Sequence, residues 1–473
     1  MKNYSENKPM RNFIRLFKQA LKGEEYDYTG GSIRKAVFLL AVPMMLEMCL
    51  ESVFAVVDIY FVNRLGPHAV SVVGLTEAVI TIVYSVAIGL SAAATAVIAR
   101  RVGEKNPEGA SQAAVQALIV SGILILVMSA FGYGYAEEIL TVMGAQPEAI
   151  NMGVHYTQLM LGGCAVVVLL FLINGIFRGA GNASVAMRSL WIGNGMNILL
   201  CPLLINGFGP IPAFGVTGAA MATVIGRGTG VLYQLWQLFF VKHDMLKVNN
   251  RRWWPDMTVI RSLLNIAGPA TIQFIIQSAS WIFLAAIVAK YGSQASAGYQ
   301  TAIRLIVFFI LPAWGMSNAA ATLVGQNLGA NAPQRAVSSV VVIAKYNTIF
   351  MTLVMLFFLF GAEQLIGFFI PDSDSVESSY AISALKIISL GYILYGIGMV
   401  LMQAFNGAGD TKTPTWISFI GFWLIQIPMA WMLSTYLEMG PSGAFTAVPA
   451  AEAIVALMYY IMFRKGNWKN VKV

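Results

Sequence analysis

The chain has 473 residues, of which 58% are hydrophobic and only 11% charged, and its mean hydropathy is +0.70. A soluble chain carries about 25% charge, so composition excludes a soluble enzyme and places this protein in lipid. The formal net charge of +8 follows from membrane orientation, and no nucleic-acid partner is needed to explain it.

The first 36 residues form a basic tail with eight Lys and Arg. No apolar core follows its first charges, so it does not read as a cleaved signal. Within residues 10–22, Phe13, Leu16, Phe17 and Leu21 share one face, and Arg11, Arg15, Lys18 and Lys22 lie beside them. That pattern predicts a basic helix lying on the inner membrane surface, with a solvated tail as the plainer alternative.

Twelve apolar runs follow, at about 37–62, 70–98, 113–136, 153–177, 185–206, 215–241, 263–289, 297–325, 337–360, 382–406, 414–437 and 443–463. Each is long enough for a spanning helix of roughly 20 residues, and none alternates as a barrel strand would. The fold class predicted is an all-α integral membrane protein.

The first run contains Glu47, Glu51 and Asp58. At about 100° per residue the three fall within about 40° of one another, as a ladder about 16 Å long. One intramembrane acid costs at least about 2.5 kcal/mol, so a one-sided stack of three predicts a site for a proton, a cation or a cationic substrate. Acids that merely hydrogen-bond neighbouring helices are the alternative. Pro43 lacks an N–H and loosens the helix on the approach to Glu47, which makes it a candidate hinge.

The second half repeats the first. At an offset of 226, Pro43, Gly66, Gly89, Gly103 and Pro107 match Pro269, Gly292, Gly315, Gly329 and Pro333; at 228, Gly179-Ala180-Gly181-Asn182 matches Gly407-Ala408-Gly409-Asp410. Shared Gly and Pro fix turns, kinks and close contacts, so they outweigh the many Ala and Ser matches. Six spans separate the copies. The prediction is therefore two six-helix bundles related by a pseudo-two-fold axis along the membrane normal, with a cavity between them. The divisions are a tail over 1–36, bundles over 37–241 and 263–464, a linker over 242–262, and a tail over 465–473. The partners of Glu47, Glu51 and Asp58 are Gln273, Gln277 and Leu284, so the acid ladder belongs to the first half alone.

Of the 30 Lys and Arg, 25 fall on the side that holds both termini. The positive-inside rule makes that side cytoplasmic, in a multi-pass protein of the inner (plasma) membrane. Cys49, Cys164 and Cys201 are widely separated in spans and suggest neither a disulfide framework nor a metal site.

The order of several motifs carries a family resemblance over essentially the whole chain. They are Pro43 with Val57-Asp58 and Gly66, Gly89-Leu90-Ser91-Ala92-Ala93-Ala94-Thr95, and Phe177-Arg178-Gly179-Ala180-Gly181-Asn182. Asn206-Gly207-Phe208-Gly209-Pro210 through Gly218-Ala219-Ala220 and Gly407-Ala408-Gly409-Asp410-Thr411-Lys412-Thr413-Pro414 complete the pattern. With its twelve duplicated spans, the chain resembles the multidrug and toxic compound extrusion (MATE) family.

The resemblance implies export of bulky cationic or amphipathic compounds, driven by inward H⁺ or Na⁺. It is closer to the DinF-like branch, in which the residue resembling Asp58 binds the coupling ion and a proline like Pro43 bends the first helix. That branch also uses an Asn and an Asp in the fifth helix; Asn197 matches the first, but Cys201 occupies the second, and a thiol is a poor ligand for a hard cation. The NorM-like branch places acids in helices seven and ten, where this chain has Gln277 and no acid near Tyr395. Glu47 and Glu51 lie outside the family pattern.

These readings predict H⁺-coupled antiport by rocking bundles, with Na⁺ as the alternative ion and no cofactor. The candidate coupling residues are Asp58, Asn197, Glu51 and Glu47. Met44, Met45, Met48, Gln277, Trp281, Arg304, Phe308 and Trp314 are candidates for an adaptable substrate cavity. Arg304 would pair with Glu77 or Glu51 or snorkel at a helix end, and Glu452 is equally ambiguous. A monomer is expected. A flippase for lipid-linked precursors would need a more basic cavity. An intramembrane aspartyl protease, suggested by the Gly-x-Gly-Asp match at Gly407–Asp410, would need a second Asp at the same water.

Overall fold

A computed structural model describes residues 7–24, 26–246, 248, 253–370 and 375–473; of residues 7–11, 55–59 and 63 the backbone alone is described. After α1 (Asn7–Lys22), the first half contains α2 (Ile33–Asn63), α3 (Pro67–Gly103), α4 (Pro107–Gly134), the short α5 (Ala136–Val142), α6 (Pro147–Gly162), α7 (Ala165–Gly179), α8 (Ala183–Asn206) and α9 (Gly215–Phe240). The second half contains α10 (Met257–Ala289), α11 (Ser293–Gly329), α12 (Pro333–Phe369), α13 (Val376–Ser389) and α14 (Tyr392–Ala408). It ends with α15 (Lys412–Ser418), α16 (Ile427–Trp431) and α17 (Pro441–Lys465), with π-helical turns at Phe419–Gln426 and Met432–Tyr436.

Ten helical stretches are long and apolar enough to cross a bilayer, and the α13/α14 pair makes an eleventh. The twelfth is α9, whose apolar character is diluted by Arg227, Gln234 and Gln237. Leu126, Phe240, Phe360 and Phe368 stand exposed on the outside, where lipid supplies their solvent.

The duplication is visible in the backbone. Helices α3 and α11 each have 37 residues and keep the 226 offset at both ends. The turns before them use positive φ at Gly66 (97°) and Gly292 (106°), which a side chain would strain. Two expected spans are each broken in two. The run at 153–177 becomes α6 and α7, which part at Gly163-Cys164, and the run at 382–406 becomes α13 and α14, bent by 55° at Leu390-Gly391. Periodic apolar sequence shows burial but not the point where the helix is interrupted or, at α13/α14, changes direction.

The bundles meet through symmetric contacts, α2 on α11 and α3 on α10. Gly315 of α11 sits against the backbone of Met44, beside Pro43, while Gly89 of α3 sits against Ala267 and Thr271, which flank Pro269. Each proline region is thus held by a glycine of the opposite bundle. Toward the end that holds both termini, α3 and α11 close tightly. A β-carbon at Gly103 would lie 2.0 Å from the Gln326 carbonyl oxygen, and one at Gly329 would lie 2.2 Å from that of Arg100. Gln326 Nε2 donates to the Gly179 carbonyl and Thr322 Oγ1 to that of Arg178, both at 3.0 Å.

The tails reinforce this seal. Tyr28 Oη donates to the Gly181 carbonyl in the first bundle, while Arg335 of the second donates to the carbonyls of Tyr28, Gly30 and Gly31. Arg100 Nη2 donates to the Val471 carbonyl at 2.9 Å. Residues 247 and 249–252 of the expected linker lie outside the described residues. The linker's far end is fixed to α4, where Gln116 donates to the Trp254 carbonyl and Gln112 to the Asp256 carboxylate. Asp256 also caps α10, which begins within the expected linker.

Candidate functional site

A cavity of about 230 Å³ lies between the bundles. The first bundle contributes Met48 and Glu51 of α2, Tyr84 of α3, and Phe171 and Arg178 of α7; the second contributes Gln273 and Gln277 of α10, Trp314 and Asn318 of α11, and Gln403 and Asn406 of α14. One wall therefore carries charge and the other carries amides. Asn406 donates to Gln403 and Gln403 to Asn318, so the amides form a chain along α14 and α11.

On the charged wall, each described acid of α2 has an arginine. Glu47 is fully buried and paired with Arg178, and Asn174 Nδ2 donates to the same carboxylate oxygen at 3.0 Å. Asn174 accepts from Gln234 and from Ser189, which ties α2, α7, α8 and α9 into one polar network. One helical turn further along, Glu51 accepts from Arg227 Nη2 at 2.8 Å and from Asn194 Nδ2 at 3.1 Å. Arg227 is buried and its guanidinium also stands over the rings of Phe54 and Tyr84. The Glu51 side chain retains 17% exposure and lines the cavity. Two buried charges placed this close supply each other's counter-charge, and breaking such a pair is strongly destabilising.

The expected ladder is therefore a set of ion pairs over its first two rungs. The backbone of Asp58 continues α2, but its side chain lies outside the described residues. Pro43 sits inside α2, one turn before Glu47. Asn197 is buried on α8 and donates to Thr223 Oγ1 at 3.0 Å; its own Oδ1 has no hydrogen-bond partner among the described residues. Cys201 is buried one turn further along.

Several expectations are corrected. Arg304 is exposed on α11 and does not reach Glu51, whose guanidinium comes from Arg227. Arg178, one residue beyond the expected span over 153–177, turns inward onto Glu47 because α7 extends to Gly179. Met48 and Gln277 line the central cavity, whereas Trp281 lines a smaller neighbouring one within the second bundle. That cavity also contains Glu452 and Tyr395, so the second bundle does hold an acid near Tyr395, supplied by the last helix. Asp410 has both oxygens engaged by Thr413, through its amide at 3.2 Å and its hydroxyl at 2.7 Å, as a helix cap.

The arginines were the missed partners. Arg227 stands in the middle of an apolar run, and an intramembrane arginine needs a counter-charge. Spacing within one helix cannot say that this counter-charge is Glu51, because α2 and α9 are far apart in sequence.

The comparisons agree with this architecture. The MatE family model matches residues 43–203 and 269–432, once in each half, starting at Pro43 and at Pro269. The chain is 27% identical to a "Probable multidrug resistance protein YoeA" of Bacillus subtilis, over 93% of this chain and 96% of that one. It is 26% identical to an "FAD transporter" of Shewanella oneidensis, over 92% and 95%. A solved structure described as the outward-facing conformation of a multidrug resistance MATE family transporter superposes with a TM-score of 0.87 at 26% identity, covering 94% of this chain and 98% of that one. This twelve-helix membrane protein belongs to the MatE family.

Proposed function

We propose that the protein is a secondary multidrug exporter that exchanges organic cations or amphipathic compounds for an inward-moving ion, with H⁺ favoured and Na⁺ as the alternative. The observation that carries this reading is the cavity between two bundles, closed at the end of the termini and bordered by the Glu51–Arg227 pair. Its aromatic and methionine lining suits apolar substrates of varied shape, and its amides can reorient to varied polar groups. The outward-facing relative supports assigning the closed end to the cytoplasm, in the plasma membrane.

The coupling site assigned to the first bundle is Asp58 with Asn197, assisted by Glu51 and Glu47. This reading keeps the chain nearer the DinF-like branch. Protonation of Glu51 would remove its charge from Arg227 and leave a guanidinium beside the cavity, which repels a cationic substrate. That change lies on α2, the helix whose Pro43 region is held by Gly315 of the opposite bundle, so substrate release and bundle movement share one element. The working unit is a monomer.

A second reading, export of an anionic nucleotide-like or lipid-linked substrate, draws on Arg178 at the cavity wall and on the FAD transporter among the relatives. Purified protein in proteoliposomes distinguishes them. Efflux of a fluorescent organic cation should be inhibited by other organic cations; inhibition by flavin nucleotides alone would favour the second reading. Asp58→Asn should fold and lose ion-driven efflux, and transport at the wild-type rate by that variant would remove Asp58 from the coupling site.

A further inference from the structure

We propose that Glu452 is a proton-exchanging site of the C-terminal bundle, separate from the acids of α2 and in contact with the central cavity. This rests on reading the chain as an ion-coupled exporter, and it assigns a second titrating position to that cycle.

The geometry around Glu452 supports the proposal from four directions. Its side chain belongs to the interior of α17 and is only 5% exposed, yet it lines two cavities at once. One, of about 50 Å³, is bordered by Gln277, Trp281, Tyr395 and Tyr459. That is room for a few waters, since one needs about 10–15 Å³. Gln277, Trp314 and Met402 line this cavity and the central one alike, so they form the wall that the two share. The other cavity brings Tyr392, whose buried hydroxyl has no hydrogen-bond partner among the described residues.

Among the described residues, the titratable groups that line the Glu452 cavities are all phenols. Tyr392 and Tyr395 come from α14 and Tyr459 from α17 itself; α10 contributes Gln277 and Trp281, α11 contributes Trp314, Ile306 and Ile310, α13 contributes Ile388, and the π-helical turn contributes Phe422. Among the described residues, no Lys, Arg or His lines either cavity. A carboxyl group in such a place is paired or carries a proton, and the proton is the counter-charge at hand.

Three backbone irregularities converge on the same residue. Pro449 lies one turn before Glu452 in α17. The 55° break between α13 and α14 packs on it, with Gly391 against Pro449. The π-helical turn Phe419–Gln426 supplies Phe422 to the cavity wall. Broken helices and π turns inside a membrane gather at ion and substrate sites, because the freed backbone groups need partners there. Each irregularity alone has a packing explanation; their meeting at one buried acid does not follow from packing.

Infrared difference spectroscopy of the full-length protein in liposomes, without drug, tests the site. Wild type should show a protonated-carboxyl band that fades as pH is raised. Glu452→Gln should lose that component, Glu452→Asp should retain it with a shifted position, and NaCl at fixed pH should leave it unchanged. An identical titrating band in E452Q, a Glu452 band that stays constant across the pH range, or displacement of the band by Na⁺ would each overturn the proposal. Preserved elution and thermal unfolding of E452Q exclude loss of fold as the cause. Because no drug is present, a wild type whose efflux ignores pH would defeat the exporter's coupling scheme while leaving this result readable.

Discussion

The two bundles share a scaffold and differ in how they hold charge. In the first, Glu47 and Glu51 of α2 are joined to Arg178 and Arg227. In the second, the matching positions of α10 are Gln273 and Gln277, and the buried acid is Glu452 of α17, surrounded by phenols, aromatic rings and an amide. Duplication fixed the equal lengths of α3 and α11, the Gly66 and Gly292 turns and the paired glycine contacts at Pro43 and Pro269. It did not fix the polar interior. Paired charges hold four helices of the first bundle together and change state only by breaking a pair. A lone carboxyl group can change state with little rearrangement of its neighbours.

The largest expected effect tests the paired side of this contrast. Arg227→Ala leaves Glu51 without its guanidinium and should cost about 3–5 kcal/mol, the usual penalty for breaking a buried pair. Thermal unfolding of the purified protein measures it. Adding Glu51→Gln to that variant should recover much of the loss, and a double variant as unstable as the single one would show that the pair is not the source. The seal comes next. Gly103→Ala and Gly329→Ala each put a methyl group against a carbonyl of the facing helix, and overpacking of this kind costs about 1–3 kcal/mol. Both should open the termini end, read as faster labelling of a cysteine introduced at the cavity wall from that side.

The smallest effect compares the two prolines. Pro43→Ala should slow efflux severalfold by stiffening the helix that carries the acids. Pro269→Ala alters a helix with amides at the matching positions and should slow it less. Equal effects would mean that both prolines serve packing alone.

Much of the fold could be read in advance, because burial on one face and repeated Gly and Pro are local signals. The apolar runs gave the spans, and the 226 offset gave the two bundles. The break at Gly163 and the 55° bend at Gly391 were hidden, since a glycine permits an irregularity without requiring one. The site was less legible. Met48, Gln277 and Glu51 do line the central cavity, but the partners of the acids come from α7 and α9, and only the packing of helices distant in sequence selects them. Glu452 was ambiguous for the same reason: α17, α14 and α10 must come together before its surroundings exist.

H⁺-coupled export is tested most directly by drug efflux from proteoliposomes under imposed gradients. Efflux should accelerate when a pH gradient is applied in the absence of Na⁺ and should collapse when that gradient is dissipated. Efflux that follows a Na⁺ gradient and ignores pH would contradict the account.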